Sequence, residues 1–170
     1  GTRGMAALGP QPQDVVVAVA ASGATRYTRA VQAAAAAAGS MTVALANNPG
    51  APLLQAAGHP ILLHTGPEFL AGSTRMTAGT AQKIALNLLS TRIMSDLGRV
   101  HRGLMVDMAP SNAKLVARAH RMVAAIASVP LSEAAAAWDA AGGNVRVAAL
   151  MLRGMARPDA EAALHAAGGR

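Results

Sequence analysis

Three short runs of apolar residues, each closed by turn-forming residues, dominate the first half of the chain. They span residues 14–21, 41–46 and 60–64. Within each run the apolar side chains follow one another instead of alternating with polar ones, which is typical of strands buried on both faces of a parallel sheet. Helical sequences separate the runs, so the pattern predicts a β-α-β-α-β order with right-handed crossovers.

Helical patterns fill the spaces between and after these strands. The predicted helices before the C-terminal region span residues 25–38, 53–57, 74–97 and 112–127. Gly39 and Gly98 end the first and third of them, and Ser111 or Asn112 caps the fourth. Apolar residues of the long third helix cover more than one face, so we expect the sheet and a partner subunit to bury it on two sides.

Val129 and Pro130 mark a predicted boundary between two domains, at residues 1–128 and 129–170. Beyond it the pattern predicts a bundle of three short helices, at residues 132–141, 144–153 and 158–166. Ser132 and Asn144 are the expected caps of the first two, and Pro158 stands where a first-turn proline is tolerated. The expected minor core consists of Trp138, Val147, Leu150, Met151 and Leu164.

Composition narrows the possible classes of function. The chain carries a net charge of +7, but its basic residues are scattered and aromatics make up only 2%. Nucleic-acid binding is therefore not expected, because such surfaces combine clustered basic residues with aromatics that stack on bases. The absence of cysteine excludes disulfides and zinc–thiolate sites and fits a cytoplasmic protein. No apolar run approaches the length of a membrane span, and no secretory signal precedes the first strand.

The turn after the first strand contains the first candidate binding residues, Ser22, Gly23 and Thr25. A buried strand runs there into small residues and then into a helix, whose first N–H groups and dipole favour an anion. The hydroxyl groups of Ser22 and Thr25 add donors for a phosphate. Taken alone, the segment fits an ordinary connection between a strand and a helix equally well.

A second candidate site precedes the long helix and contains Ser73, Thr74 and Arg75. An arginine at a helix N-terminus is unfavourable for the dipole, so a bound phosphate or an acidic partner is expected to balance it. Glu68 or Asp107 are the alternative, purely structural partners. Lys83 lies about two turns further along and either reaches the ligand or is solvated.

Catalytic arrangements and metal sites are weakly supported. The five histidines lack metal-ligand spacing, and no nucleophile-elbow pattern is present. A metal site is therefore not expected. Glu68 is the only acid between Asp14 and Asp96, and it is a candidate for binding sugar hydroxyls or, alternatively, for acting as a base.

Three segments together resemble a known family. Residues 66–83 read GPEFLAGSTRMTAGTAQK, residues 14–28 include VVVAVAASGATRYT, and residues 104–107 read LMVD. In these segments and in its C-terminal helices, the chain resembles the N-acetylmuramic acid 6-phosphate etherases over nearly its whole length. The resemblance implies a sugar isomerase (SIS) fold: an α/β, three-layer αβα parallel sheet, here partial, followed by a small helical bundle.

The resemblance also implies a reaction. The family cleaves the D-lactyl ether of N-acetylmuramic acid 6-phosphate and releases N-acetylglucosamine 6-phosphate and D-lactate during cell-wall recycling. One carboxylate removes the C2 proton of the open-chain sugar, a second protonates the departing lactate oxygen, and water then adds. No cofactor is required, because the C1 carbonyl acidifies C2. A homodimer in the cytoplasm that binds a phosphorylated amino sugar is implied.

Two departures from the family pattern qualify this expectation. Position 24 is Ala where the family usually has Arg, and position 26 is Arg where it usually has Pro. Arg26 is an uncertain substitute for the guanidinium, since two residues along a helix rotate a side chain by about 200°. The family's catalytic glutamates and first phosphate loop also lie upstream of the equivalent of Gly1. We therefore expect this chain to be inactive alone, and a non-catalytic phosphosugar sensor is the alternative.

Overall fold

The protein is described by a computed structural model that covers residues 1–168, apart from the side chains of residues 2, 3 and 6. It divides into two compact units, Gly1–Leu88 and Leu89–Arg170. The first holds a parallel sheet with its helices. The second holds the end of the long helix that begins in the first unit, a short hairpin and four further helices. The predicted α/β class with a parallel sheet is confirmed.

The first unit follows the predicted order of strands and helices. Its elements are α1 (Thr2–Leu8), β1 (Val15–Val19), α2 (Arg26–Ala37), β2 (Met41–Ala46), α3 (Pro52–Gln55), β3 (His59–Leu62) and the greater part of α4 (Thr77–Asp96). The strands are parallel in the order β1-β2-β3, with Val17 beside Val43 and Leu45 beside Ile61. Because β1-α2-β2 and β2-α3-β3 each join neighbouring parallel strands, the helices supply the crossovers that parallel pairing requires.

Small residues on one face of the sheet let α2 and α3 pack closely. Ala18, Ala44 and Ala46 are buried against Leu53 and Leu54. Across this layer the buried Gln32 of α2 donates a hydrogen bond to the carbonyl oxygen of Leu53 at 3.1 Å. The alanine-rich composition therefore produces a thin, tightly packed layer in place of one filled by aromatic rings.

The opposite face of the sheet differs from the sequence prediction. On this face Val15, Met41 and Ile61 are 56%, 50% and 40% exposed to solvent. Continuous apolarity predicted burial on both faces, but within the described part of the chain these three residues of the opposite face stay exposed, whereas Leu45 on the same face is buried. Helix α4 is likewise largely exposed: Ala78 is its buried residue, whereas Ile84 and Leu88 are exposed.

In the second unit the end of α4 is followed by the antiparallel pair β4 (Val100–His101) and β5 (Leu104–Met105). This hairpin was not predicted from the sequence. Its two-residue loop, Arg102-Gly103, has φ angles of 49° and 78°. Positive φ at both positions is the signature of a tight hairpin turn that fits the twist of the strands.

Helices α5 (Ala113–Ala127), α6 (Leu131–Ala140), α7 (Val145–Met151) and α8 (Arg157–Ala166) complete this unit. Asn112 caps α5 and Asn144 caps α7, as predicted. The predicted cap at Ser132 is wrong, because α6 begins at Leu131 after Pro130 without a side-chain cap. Buried residues of α5, α6, α7 and α8 form one core. This shared core is why the compact unit starts at Leu89, before the predicted boundary at residue 129.

Candidate functional site

The turn between β1 and α2 is held in place by its own hydrogen bonds. Gly23 N–H donates to the carbonyl oxygen of Ala20 at 2.9 Å, and Leu53 N–H donates to the carbonyl oxygen of Gly23 at 3.0 Å. The hydroxyl oxygen of Ser22 accepts from Ala24 N–H at 3.2 Å. These bonds fix the path of the chain into α2 independently of any ligand.

Gly23 is required in this turn for two geometric reasons. Its φ is +64°, and a Cβ atom added there would lie 2.4 Å from the Ala51 Cβ atom and 3.1 Å from the Ala46 Cβ atom. Residues with a side chain rarely adopt a positive φ, and a Cβ atom cannot lie as close as 2.4 Å to another Cβ atom. The predicted site residue Gly23 therefore has a packing role that the sequence alone did not indicate.

The start of α2 is open to an anion. Thr25 occupies the N-cap position, but its side chain forms no capping hydrogen bond. The first turn of α2 therefore has N–H groups without a side-chain cap, and the neighbouring residues Ser22, Thr25 and Arg26 are exposed. Uncapped N–H groups and the positive end of a twelve-residue helix together form the environment that binds phosphate groups.

The start of α4 is occupied by a carboxylate of the chain itself. Glu68 accepts hydrogen bonds from Thr77 N–H at 3.1 Å and Ala78 N–H at 3.0 Å. The bond from Ala78 is the main cause that holds the pKa of Glu68 below its ordinary value. Because Glu68 already satisfies these donors, α2 is the better anion site of the two.

The remaining predicted residues of the second site differ in their surroundings. Thr74 lines a cleft of about 330 Å³ together with Asn47, Thr65 and Glu68. Ser73 is half-buried, while Arg75 and Lys83 are exposed. In the part of the chain that the structure describes, the side chains of Arg75 and Lys83 form no ion pair, so neither predicted structural partner of Arg75 is engaged with it.

Asn47 joins the two parts of the site and was missed by the sequence prediction. Its backbone N–H donates to the carbonyl oxygen of Ala21 at 2.9 Å. Its side-chain amide donates to the carbonyl oxygen of Leu63 at 3.0 Å and accepts from Gln82 at 2.9 Å. The sequence signal was present as Asn-Asn-Pro-Gly, but it was interpreted only as a turn. Asn47 thereby connects β1, β3 and α4 at the carboxyl edge of the sheet, where parallel α/β folds bind ligands.

The described carboxylates of the first unit do not form a catalytic pair. Asp14 and Glu68 are its acids, and Asp14 precedes β1 whereas Glu68 follows β3. They therefore lie at opposite ends of parallel strands. Among the described residues no group of three or more metal-ligating side chains occurs. Within the same residues no helix is both long and apolar enough to cross a membrane.

Comparison with known proteins adds to this geometry. The family model for the SIS domain matches residues 5–92, which is more than half of the chain. The chain belongs to the SIS domain family. The matched segment of this SIS protein contains the sheet, the uncapped start of α2 and the Glu68-capped start of α4.

The SIS protein is also similar to curated proteins named N-acetylmuramic acid 6-phosphate etherase. The one from Deinococcus radiodurans is 49% identical over 99% of this chain and 56% of its own length. The one from Symbiobacterium thermophilum is 50% identical over 84% of this chain and 47% of its own length. The resemblance stated from the sequence is thus confirmed, and the chain spans about half the length of the curated relatives it matches.

Proposed function

We propose that the protein acts as an N-acetylmuramic acid 6-phosphate etherase, a carbon–oxygen lyase of amino-sugar metabolism, in the cytoplasm. It cleaves the D-lactyl ether of its substrate to N-acetylglucosamine 6-phosphate and D-lactate. The names of the similar proteins support the reaction. The observation that carries the substrate class is the uncapped start of α2 at the carboxyl edge of a SIS sheet.

The substrate phosphate sits at the start of α2 in this proposal. The N–H groups after Thr25 and the hydroxyl groups of Ser22 and Thr25 hold it, and Gly23 keeps the turn close to the sheet. Glu68 and Thr74 line the neighbouring cleft and face the sugar. Ser73 adds a hydroxyl group, and Arg75 and Lys83 supply cations to the ligand or to a partner subunit.

Two substitutions test the position of the phosphate. Replacing Thr25 by Val removes a donor beside the α2 start, and we expect the KM for the sugar phosphate to rise with little change in kcat. Replacing Arg75 by Ala tests the second cation. A charge-assisted bond to phosphate contributes about 1.5–3 kcal/mol, which is about tenfold or more in affinity. An unchanged affinity in either variant contradicts the role proposed for that residue.

The elimination needs two carboxylates that the first unit does not place together. Asp14 and Glu68 lie at opposite ends of the sheet, and Glu68 is bound to the N-terminus of α4. We therefore expect the complete protein to release D-lactate from N-acetylmuramic acid 6-phosphate, and the 170-residue chain to release none. An enzymatic lactate assay of both proteins decides, and turnover by the 170-residue chain contradicts this expectation.

A non-catalytic phosphosugar-binding regulator is the second candidate. Ala24 and Arg26 favour it, since both depart from the etherase pattern at the turn where the phosphate is proposed to bind. The same lactate assay separates the candidates: binding of the sugar phosphate by the complete protein without lactate release supports the regulator.

A homodimer is part of the proposal. Residues 84–97 of the α4 region form the proposed contact between the two copies. Within this stretch Ile84, Leu88 and Ile93 are 53%, 67% and 46% exposed to solvent. Placing a charge at Leu89 is expected to dissociate the dimer. Light scattering measures the mass in solution, and an unchanged dimer contradicts α4 as the seam.

A further inference from the structure

An open cleft in the second unit has not been assigned a function. It lies between the β4–β5 hairpin and helices α5, α7 and α8 and has a volume of about 290 Å³. Its walls include the half-buried apolar side chains of Val100, Ile126, Leu150 and Leu164. Such a volume equals about ten water molecules at about 30 Å³ each, so it suits a small molecule with an apolar part.

The polar side chains of the cleft are those of basic residues. They are His101, Arg146 and Arg153, and no acid among residues 1–168 lines the cleft. Asp107, which follows the hairpin in the chain, is engaged by Arg99 and by Arg146, whose Nη2 atom lies 3.0 Å from the Oδ1 atom of Asp107. Asp107 therefore pairs with two arginines, and Arg153 adds a further positive charge to the cleft.

Two observations indicate that an anion would be favoured there. Burial lowers the pKa of Arg146, and the positive charge of the nearby Arg99 lowers it further, so a second cation lies close to this guanidinium. The side chains of His101 and Arg153 make no hydrogen bond or ion pair within residues 1–168 as the structure describes them. They stand beside an apolar wall with their donors available.

We infer that this cleft binds a small organic anion. The anionic head faces Arg153 and His101, and an apolar body of about six to eight carbon atoms packs against Val100, Leu150 and Leu164. The shared chemistry is a carboxylate or phosphate on a short apolar chain. The site lies within residues 89–168, shares no residue with the sugar-phosphate site proposed in the first unit, and does not depend on the proposed reaction.

Sodium hexanoate is a suitable probe, and 1-hexanol is its uncharged counterpart. The complete protein, labelled with ¹⁵N, is titrated with each while the backbone amide signals of Val100, Ala149 and Leu150 are followed by NMR. We expect saturable shifts at these amides with hexanoate and at least fivefold weaker binding of hexanol. Arg153→Gln is expected to weaken hexanoate binding about fivefold, because it removes a charge-assisted contact at a partly exposed site.

Arg118→Gln is the matched control, because Arg118 is an exposed arginine of α5 that does not line the cleft. It should leave hexanoate binding unchanged, and His101→Gln should weaken it together with Arg153→Gln. Shifts confined to other surfaces, equal binding of hexanol, or equal effects of the two arginine variants would overturn the inference. So would saturation of these amides by a glutamate-rich peptide but not by hexanoate, since the cleft would then bind a protein segment.

Discussion

Replacing Gly23 by Ala tests whether packing, rather than ligand binding, requires glycine in the first candidate turn. Two costs are expected. A left-handed backbone costs a residue with a Cβ atom about 1–2 kcal/mol. Overpacking adds about 1–3 kcal/mol, because the new Cβ atom would lie 2.4 Å from the Cβ atom of Ala51 and 3.1 Å from that of Ala46.

Gly50 provides a matched control in the same unit. Its φ of +69° is close to the +64° of Gly23, but a Cβ atom added at Gly50 meets nothing within 4 Å. Gly50→Ala should therefore cost only the backbone term. We expect Gly23→Ala to be less stable than Gly50→Ala by about 1–3 kcal/mol, which is the overpacking term alone.

Native-state hydrogen exchange at the amides of β2 measures this difference, because exchange there reports the free energy of opening of the sheet. Trp138, the single tryptophan, lies in the second unit and serves as a separate fluorescence reporter of that unit. Equal free energies for the two variants would refute the packing argument. Lost sugar-phosphate affinity at unchanged stability would instead assign Gly23 to ligand binding.

Three further predictions follow from single contacts. Folding lowers the pKa of Glu68, so the carboxylate stabilises the start of α4 fully above its unfolded pKa, and this stabilisation is lost as the pH falls through the folded pKa. The NMR signals of the Thr77 and Ala78 amides should shift over that pH range. Glu68→Gln should abolish the pH-dependent shift. Asn144→Ala should cost about 1 kcal/mol in urea unfolding followed by Trp138 fluorescence, since it removes a cap; no loss would contradict that. Asp107→Asn should lower the free energy of unfolding by about 1–3 kcal/mol, because it removes the carboxylate that pairs with the half-buried Arg146. Asp96→Asn, which removes an exposed ion pair with Arg92, should lower it by less than about 0.5 kcal/mol. Equal losses for the two variants would refute the argument.

Much of the fold could be predicted from local patterns. The three strands were predicted because their apolar residues are continuous and end at turn residues, and both are local properties. Asn112 and Asn144 could be predicted as caps because a capping bond joins a side-chain oxygen to an N–H group only two or three residues further along the chain. The Arg102-Gly103 turn was equally local, but its signal was overlooked.

The candidate site depended on contacts distant in sequence. The hydroxyl, glycine and carboxylate residues could be identified from the sequence. The sequence did not show which of the two helix N-termini keeps its N–H groups uncapped. Glu68 binds N–H groups nine and ten residues away, and Asn47 joins Gln82 across 35 residues. Such distances are set only when β2, β3 and α4 are brought together.

By itself, then, the sequence determined the order of strands and helices, the type of sheet and the kinship with SIS proteins, because each depends on local periodicity or on a contiguous motif. The tertiary structure decided the rest. It placed the carboxylate of Glu68 on the N-terminus of α4 and left that of α2 open, and it packed Gly23 against Ala51. Long-range packing chooses among chemically equivalent anion sites, and no local pattern encodes that choice.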